Sequence, residues 1–365
     1  MIMKTKNIRL ICFILTIYSL LSFASVTASA EACADESVEV LADNVEIGSR
    51  LFDLFFGEEK EGDKTVSLIP GGGVFGVRIK QEYPTVTEAK GIPALAGGDI
   101  IISVAGQRVK TAADVKRIVE ASGGSSITIR ALHRGSEIAL EIIPTLKDGE
   151  YRLGLSLRDG ACGLGTVTFI DPETGAFGGL GHGICDADSG EIISMESGLV
   201  CGVILGGIHK GESGKPGELC GILTENNMGE LTVNNECGVF GILTDKSAIS
   251  GSLMEIGRRD EVKEGEATII STLKNGKKAE YKIEIYDIDR TSDGSKSFRV
   301  RVTDETLKAL TGGIVRGMSG SPIIQNGKLV GAVTHVLVAD PTEGYGIFIE
   351  NMLGASNASE GQKAA

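Results

Sequence analysis

Ser319 stands in "GMSGSP", a stretch with almost no side chain on either side of the hydroxyl. A serine performs acyl transfer only if its Oγ is exposed, a base takes its proton and N–H groups face the developing oxyanion. Gly317 lets the peptide turn without a Cβ in the way, and Gly320 leaves room beside the hydroxyl. Pro322 opens the next strand where no N–H is lost. On its own the stretch also fits a glycine turn carrying an incidental serine, so the base decides. The chain has four histidines. His133 falls in a hairpin turn and His209 in a glycine-rich loop, both expected to be exposed and idle. His335 lies on the strand after the serine, a core or pocket position. His182, in "GGLGHGICDADSG", is flanked by glycines that let an imidazole project from a strand end, which suits a general base.

The elements that must position these groups are short strands. The hydrophobic set is 42% and charged residues are 23% of 365, enough for a packed core of roughly two domains. A net charge of −13 with no basic stripe argues against a nucleic-acid partner. Fifty-one glycines, no tryptophan and many Val/Ile runs read as strands joined by tight turns. Lys4, Lys6 and Arg9 precede the apolar run Leu10 to Ala30, and "ASA" closes it with peptidase-like spacing. A cleaved signal peptide and a retained membrane anchor over 1–30 both fit, and either sends the remainder across a membrane. Residues 31–65 form an acidic linker and 355–365 a flexible tail. No C-x-x-C pair occurs, and Cys201, Cys220 and Cys237 sit in strand-like settings as small hydrophobes, so no metal is expected.

Over 66–145 the order of elements is strand, glycine turn, strand, then "AGGDIIISVAGQRVK", then a helix from a Thr111 cap carrying Val115, Ile118 and Val119, then a hairpin. This resembles a PDZ domain. The resemblance implies a carboxylate-binding loop at Gly73, Val74, Phe75 and Gly76, and an edge strand that takes a C-terminal peptide by β-addition. A boundary follows at Pro144 to Arg158. Residues 151–354 are strands and glycine turns, with one helix candidate at 304–313 and a hairpin on Asn326-Gly327, a pattern of sandwiches and barrels.

"GLGHGICDADSG", "GGIVRGMSGSPIIQNGKLVGAVTHV" and "DPTEGYGIFIENML" closely resemble the stage IV sporulation protein B peptidase family of endospore-forming bacteria. That resemblance implies a mainly β chain: an αβ PDZ domain followed by a chymotrypsin-like double β-barrel serine endopeptidase. It implies His182 as base, Ser319 as nucleophile, and Gly317 and Ser319 N–H groups as the oxyanion hole. The family's acid maps to Asp304, which also reads as a helix N-cap; Asp245, further upstream, is the rival. No metal or organic cofactor is implied. The family role is intercompartmental signalling in endospore formation. There the protein crosses the forespore inner membrane into the intermembrane space and cleaves itself and a membrane-bound regulatory complex, so that a mother-cell sigma-factor precursor is processed. Two other readings stand beside it: a PDZ-based envelope scaffold with an inactive protease domain, and a general envelope quality-control protease.

Overall fold

The computed structural model describes residues 66–273 and 276–356. The targeting run, the acidic linker and residues 357–365 lie outside the described residues, and among those described no helix is long and apolar enough to cross a membrane. Along the chain come β1 (Ser67–Pro70), β2 (Val74–Ala89), β3 (Ile100–Val104), β4 (Gln107–Arg108), helix α1 (Ala112–Ala121), β5 (Ile127–His133), β6 (Ser136–Ile142), β7 (Thr145–Lys147) and β8 (Glu150–Arg152). There follow β9 (Leu155–Ile170), β10 (Ala176–Gly179), β11 (Met195–His209), β12 (Glu218–Asn235), β13 (Gly238–Leu243) and β14 (Met254–Glu255). The last part holds β15 (Gly265–Thr272), β16 (Lys278–Tyr286), β17 (Phe298–Val302), helix α2 (Glu305–Thr311), β18 (Pro322–Gln325), β19 (Lys328–Val336), β20 (Glu343–Phe348) and helix α3 (Ile349–Ser356).

Two closed antiparallel barrels result. In the first, β2 pairs with β9, β9 with β10, β10 with β13, β13 with β12, β12 with β11, and β11 returns to β2. In the second the order is β15-β16-β17-β20-β19-β18. Closure removes sheet edges that would otherwise expose unpaired amides. Each barrel has its own core: Phe75, Val77, Phe177, Val200 and Val239 in the first, and Ile269, Ile283, Phe298, Val300 and Phe348 in the second. Each such side chain contributes about 1.5–3 kcal/mol by leaving water. Turns follow the sequence. Asn326-Gly327 both have positive φ, 53° and 77°, the geometry that keeps a two-residue hairpin in line with strand twist.

The αβ unit has a third core, with Val86, Ile101, Val104, Val115, Ile118 and Ile129. Its helix α1 starts at the expected Thr111, which accepts from the Asp114 amide in a capping box. Its position corrects the order expected from sequence, where this unit begins at residue 66 and precedes the peptidase. Residues 74–80 of β2 are paired with 160–166 of β9 inside the first barrel; only past a register shift, from Thr85, does β2 enter the αβ unit. The unit is thus inserted between the first strands of the barrel. Two long strands, β2 and β9, belong to both.

Candidate active site

The serine loop is held between the barrels by its backbone. Thr166 of β9 donates its N–H to Ser319 O (2.9 Å) and its Oγ1 to Gly317 O (2.8 Å), and Thr168 donates its Oγ1 to Gly320 O (2.8 Å). Gly317 and Gly320 have φ of 96° and 92°. A Cβ at Gly320 would lie 2.0 Å from Thr166 O and 2.4 Å from Leu180 N, so glycine is required for close packing against the first barrel. Within the loop the amides of Arg316, Met318, Gly320 and Ser321 donate to Gly217, Val315, Val333 and Met318 carbonyls. Among the described residues no acceptor takes the amides of Gly317 and Ser319. These are the two N–H groups expected to hold an oxyanion.

His182 leaves the end of β10 through Leu180 and Gly181, both in the left-handed region at φ 65° and 67°. Such a conformation is rare for leucine. It is imposed here by packing: Leu180 is 5% exposed, and a Cβ on Gly181 would meet Thr334 Cγ2 at 2.9 Å. The imidazole Nδ1 lies 2.8 Å from Gly183 O. A carbonyl only accepts, so Nδ1 carries the proton and Nε2 keeps its lone pair. The ring stacks on His335 of β19, centroids 4.7 Å apart at 34°. The residue before, Thr334, accepts the Ser319 hydroxyl at its carbonyl (2.6 Å). Ser319, Thr334–His335 and His182 therefore form one contiguous group. In this resting arrangement the hydroxyl faces the Thr334 carbonyl and makes no hydrogen bond to His182.

Burial holds the His182 imidazole below its ordinary value, with the Gly183 carbonyl opposing. His335 is pushed down to about 4 by burial, by His182 and by Lys296. Both rings are neutral near pH 7. A cleft of about 760 Å³ opens beside them, walled by Val77, Leu164, Ile184 and Ile192, with Arg316 and Glu236 at its polar side.

Asp304 and Asp245 do not hydrogen-bond the imidazole. Asp304 caps α2: Oδ1 accepts from Leu307 N (2.9 Å) and Oδ2 from Lys282 N (3.2 Å). Burial raises its carboxyl, but the amides of Leu307, Lys282 and Thr306 outweigh that and hold it below the usual range. Asp245 accepts from Ser247 N and Oγ at the start of a short 3-10 turn. His133, expected to be idle, pairs through Nδ1 with the buried Asp99 (2.9 Å). His209 is exposed and faces Glu218.

The stretch Gly73 to Gly76, expected to bind a peptide carboxylate, is a barrel strand instead. Val74 pairs with Thr166, Gly76 with Leu164 on one side and Cys201 on the other, and Phe75 is buried edge-on against Phe177. From Val74 the backbone pairs with β9, and from Gly76 with β11 as well, so the stretch is part of the barrel wall and not a free loop. The groove of the αβ unit lies elsewhere, a cleft of about 490 Å³ between Val115 and Val119 of α1 and Leu153, Gly154, Leu155 and Leu157. The signal for it was "RLGLSL" at 152–157, a Gly between apolar residues at a strand start.

The chain is 24% identical over 153 residues to a putative zinc metalloprotease of Agrobacterium fabrum, covering 40% of each chain, so it spans well under half of that relative's length. Among solved structures, the PDZ domain of an SdrC-like protein from Listeria monocytogenes is 23% identical and covers 22% of this chain and 93% of its own, with a TM-score of 0.20. The active form of the Rv3671c protease from M. tuberculosis is 12% identical and covers 67% of this chain and 86% of its own, with a TM-score of 0.29. The SpoIVB peptidase S55 family model matches residues 149–353, from the end of the αβ unit through α3. Both Ser319 and His182 fall inside that match, and the chain belongs to the SpoIVB peptidase S55 family.

Proposed function

We propose that the chain is a serine endopeptidase working through Ser319 and His182, with the Gly183 carbonyl in the orienting position a carboxylate usually holds. The Ser319 hydroxyl turns from Thr334 O, and His182 Nε2 takes its proton as Oγ attacks a peptide carbonyl. The amides of Gly317 and Ser319 receive the oxyanion. The imidazolium then gives its proton to the leaving amine. Water, deprotonated by the same Nε2, hydrolyses the acyl-serine and regenerates the hydroxyl. The observation that carries this reading is the pair of unengaged amides around a serine whose neighbours' amides are all bonded.

By family membership, the substrates we propose are the chain's own N-terminal region and a membrane-bound regulator of sigma-factor processing in endospore formation. The protein acts there after export across the forespore inner membrane, cleaved from its leader or anchored by it. The groove on α1 receives a peptide, either a partner's C-terminus or a segment of this chain.

A fluorophosphonate probe on the purified full-length protein tests the chemistry. Labelling is expected on Ser319, absent in Ser319→Ala and reduced at least a hundredfold in His182→Ala. Equal labelling of wild type and His182→Ala removes the mechanism. A folded wild type that takes no label, yet binds peptides, favours the scaffold reading.

A further inference from the structure

His209, Glu218 and Cys220 project from one face of the β11–β12 ribbon. His209 pairs directly with Glu218, and Cys220 lies two residues along the same strand, so all three side chains share a side. Their donor atoms already converge: His209 Nδ1 is 3.0 Å from Glu218 Oε1 and 3.5 Å from Cys220 Sγ, and all three lie within 4.8 Å of one another. An ion pair accounts for two of these groups; the thiol is the third, and it suits no ion pair. With Zn–N and Zn–O near 2.0 Å and Zn–S near 2.3 Å, a tetrahedral ion has N–O edges of about 3.3 Å and N–S edges of about 3.5 Å. The two measured separations fall near those edges.

We propose that His209, Glu218 and Cys220 bind a zinc ion, with water in the fourth position. Thiolate, carboxylate and neutral imidazole balance the ion's two positive charges, and imidazole with thiolate selects zinc over magnesium or calcium. His209 and Glu218 are exposed, which leaves the open position to solvent. Lys210, the next residue, gives its ammonium to Ala309 O of α2.

The site is built onto the serine loop. Arg316 donates to Gly217 O and accepts from Leu219 N, both at 2.9 Å, and the Leu219 side chain is what a Cβ at Gly317 would touch at 3.1 Å. The ion therefore clamps the ribbon segment that backs one of the two unengaged amides. Its effect on turnover rests on the serine peptidase reading; its existence does not.

The test is cobalt titration of metal-free, reduced full-length protein. Wild type is expected to show tetrahedral d–d bands and a thiolate-to-cobalt charge-transfer band, both displaced by one equivalent of zinc. Cys220→Ser is expected to lose the charge-transfer band, and His209→Asn and Glu218→Gln to weaken binding tenfold or more, with unchanged circular dichroism. No charge-transfer band in wild type, or the same band in Cys220→Ser, overturns the site. In a second arm, zinc is expected to raise the fluorophosphonate labelling rate of wild type severalfold and leave that of Cys220→Ser unchanged. Equal rates with and without zinc overturn the coupling. A protein that takes no label at all leaves the cobalt arm intact.

Discussion

The reactivity expected of Ser319 depends on what faces the two nitrogens of His182. A carbonyl at Nδ1 fixes the tautomer but stabilises the imidazolium less than a carboxylate does. Burial outweighs that support and keeps the base form available below the ordinary value of 6.5. The acid limb of the fluorophosphonate labelling rate is therefore expected below pH 6.5. A limb at pH 7 or above means that a carboxylate reaches the ring in the active form. His335 gives a second, stability-linked readout. Its folded value, about 4, lies below the unfolded 6.5, so the unfolded chain binds the proton first. Its contribution is full above pH 6.5 and is lost as pH falls toward 4. Plotted against pH over that window, Tm is expected to fall less steeply in His335→Gln than in wild type. Serine, histidine and their glycines were legible in sequence because their types and spacing carry the chemistry. The stacking of His335 was not, because it depends on where β19 lies against the end of β10.

Elements decide which of two roles a residue plays. Asp304 reads from sequence both as an acid and as a cap. In the structure both of its oxygens are taken by backbone amides, Oδ1 by Leu307 in the first turn of α2 and Oδ2 by Lys282 of β16. Asp304→Asn is expected to lower stability by about 1 kcal/mol or less and leave the labelling rate within a few-fold of wild type. A fall of orders of magnitude in rate with unchanged Tm assigns it to the imidazole instead. The serine loop makes the opposite demand. Gly320→Ala places a methyl against the Thr166 carbonyl and the Leu180 amide, at a φ of 92° that alanine resists. A loss of labelling of at least tenfold is expected, together with a lower Tm in a thermal melt. The glycine was visible in sequence as a loop residue. Its partner was not, since β9 lies far away in the chain.

For the whole molecule, the lesson is in β2 and β9. A domain boundary drawn from sequence assumes that each unit owns its strands. Here sixteen-residue strands serve two units, and each passes from one unit to the other within a single continuous strand. That is why the three cores and the mainly β class were readable while the insertion and the cleft on α1 were not. A fragment starting at residue 149 retains the whole family match but lacks β1 and β2. It leaves β9 and β11 each with an unpaired edge and opens the first barrel. Such a fragment is expected to be insoluble or to melt without a cooperative transition, measured beside the full-length protein. A cooperative, labelling-competent fragment shows that the peptidase does not need these strands.

The most direct measurement is a crystal structure of the phosphonate adduct of the full-length protein. Phosphorus is expected on Ser319 Oγ, with one phosphoryl oxygen within hydrogen-bond reach of the Gly317 and Ser319 amides, and His182 Nε2 facing Oγ with Nδ1 still on Gly183 O. A phosphoryl oxygen held by other groups, or an aspartate in place of the Gly183 carbonyl, contradicts the mechanism.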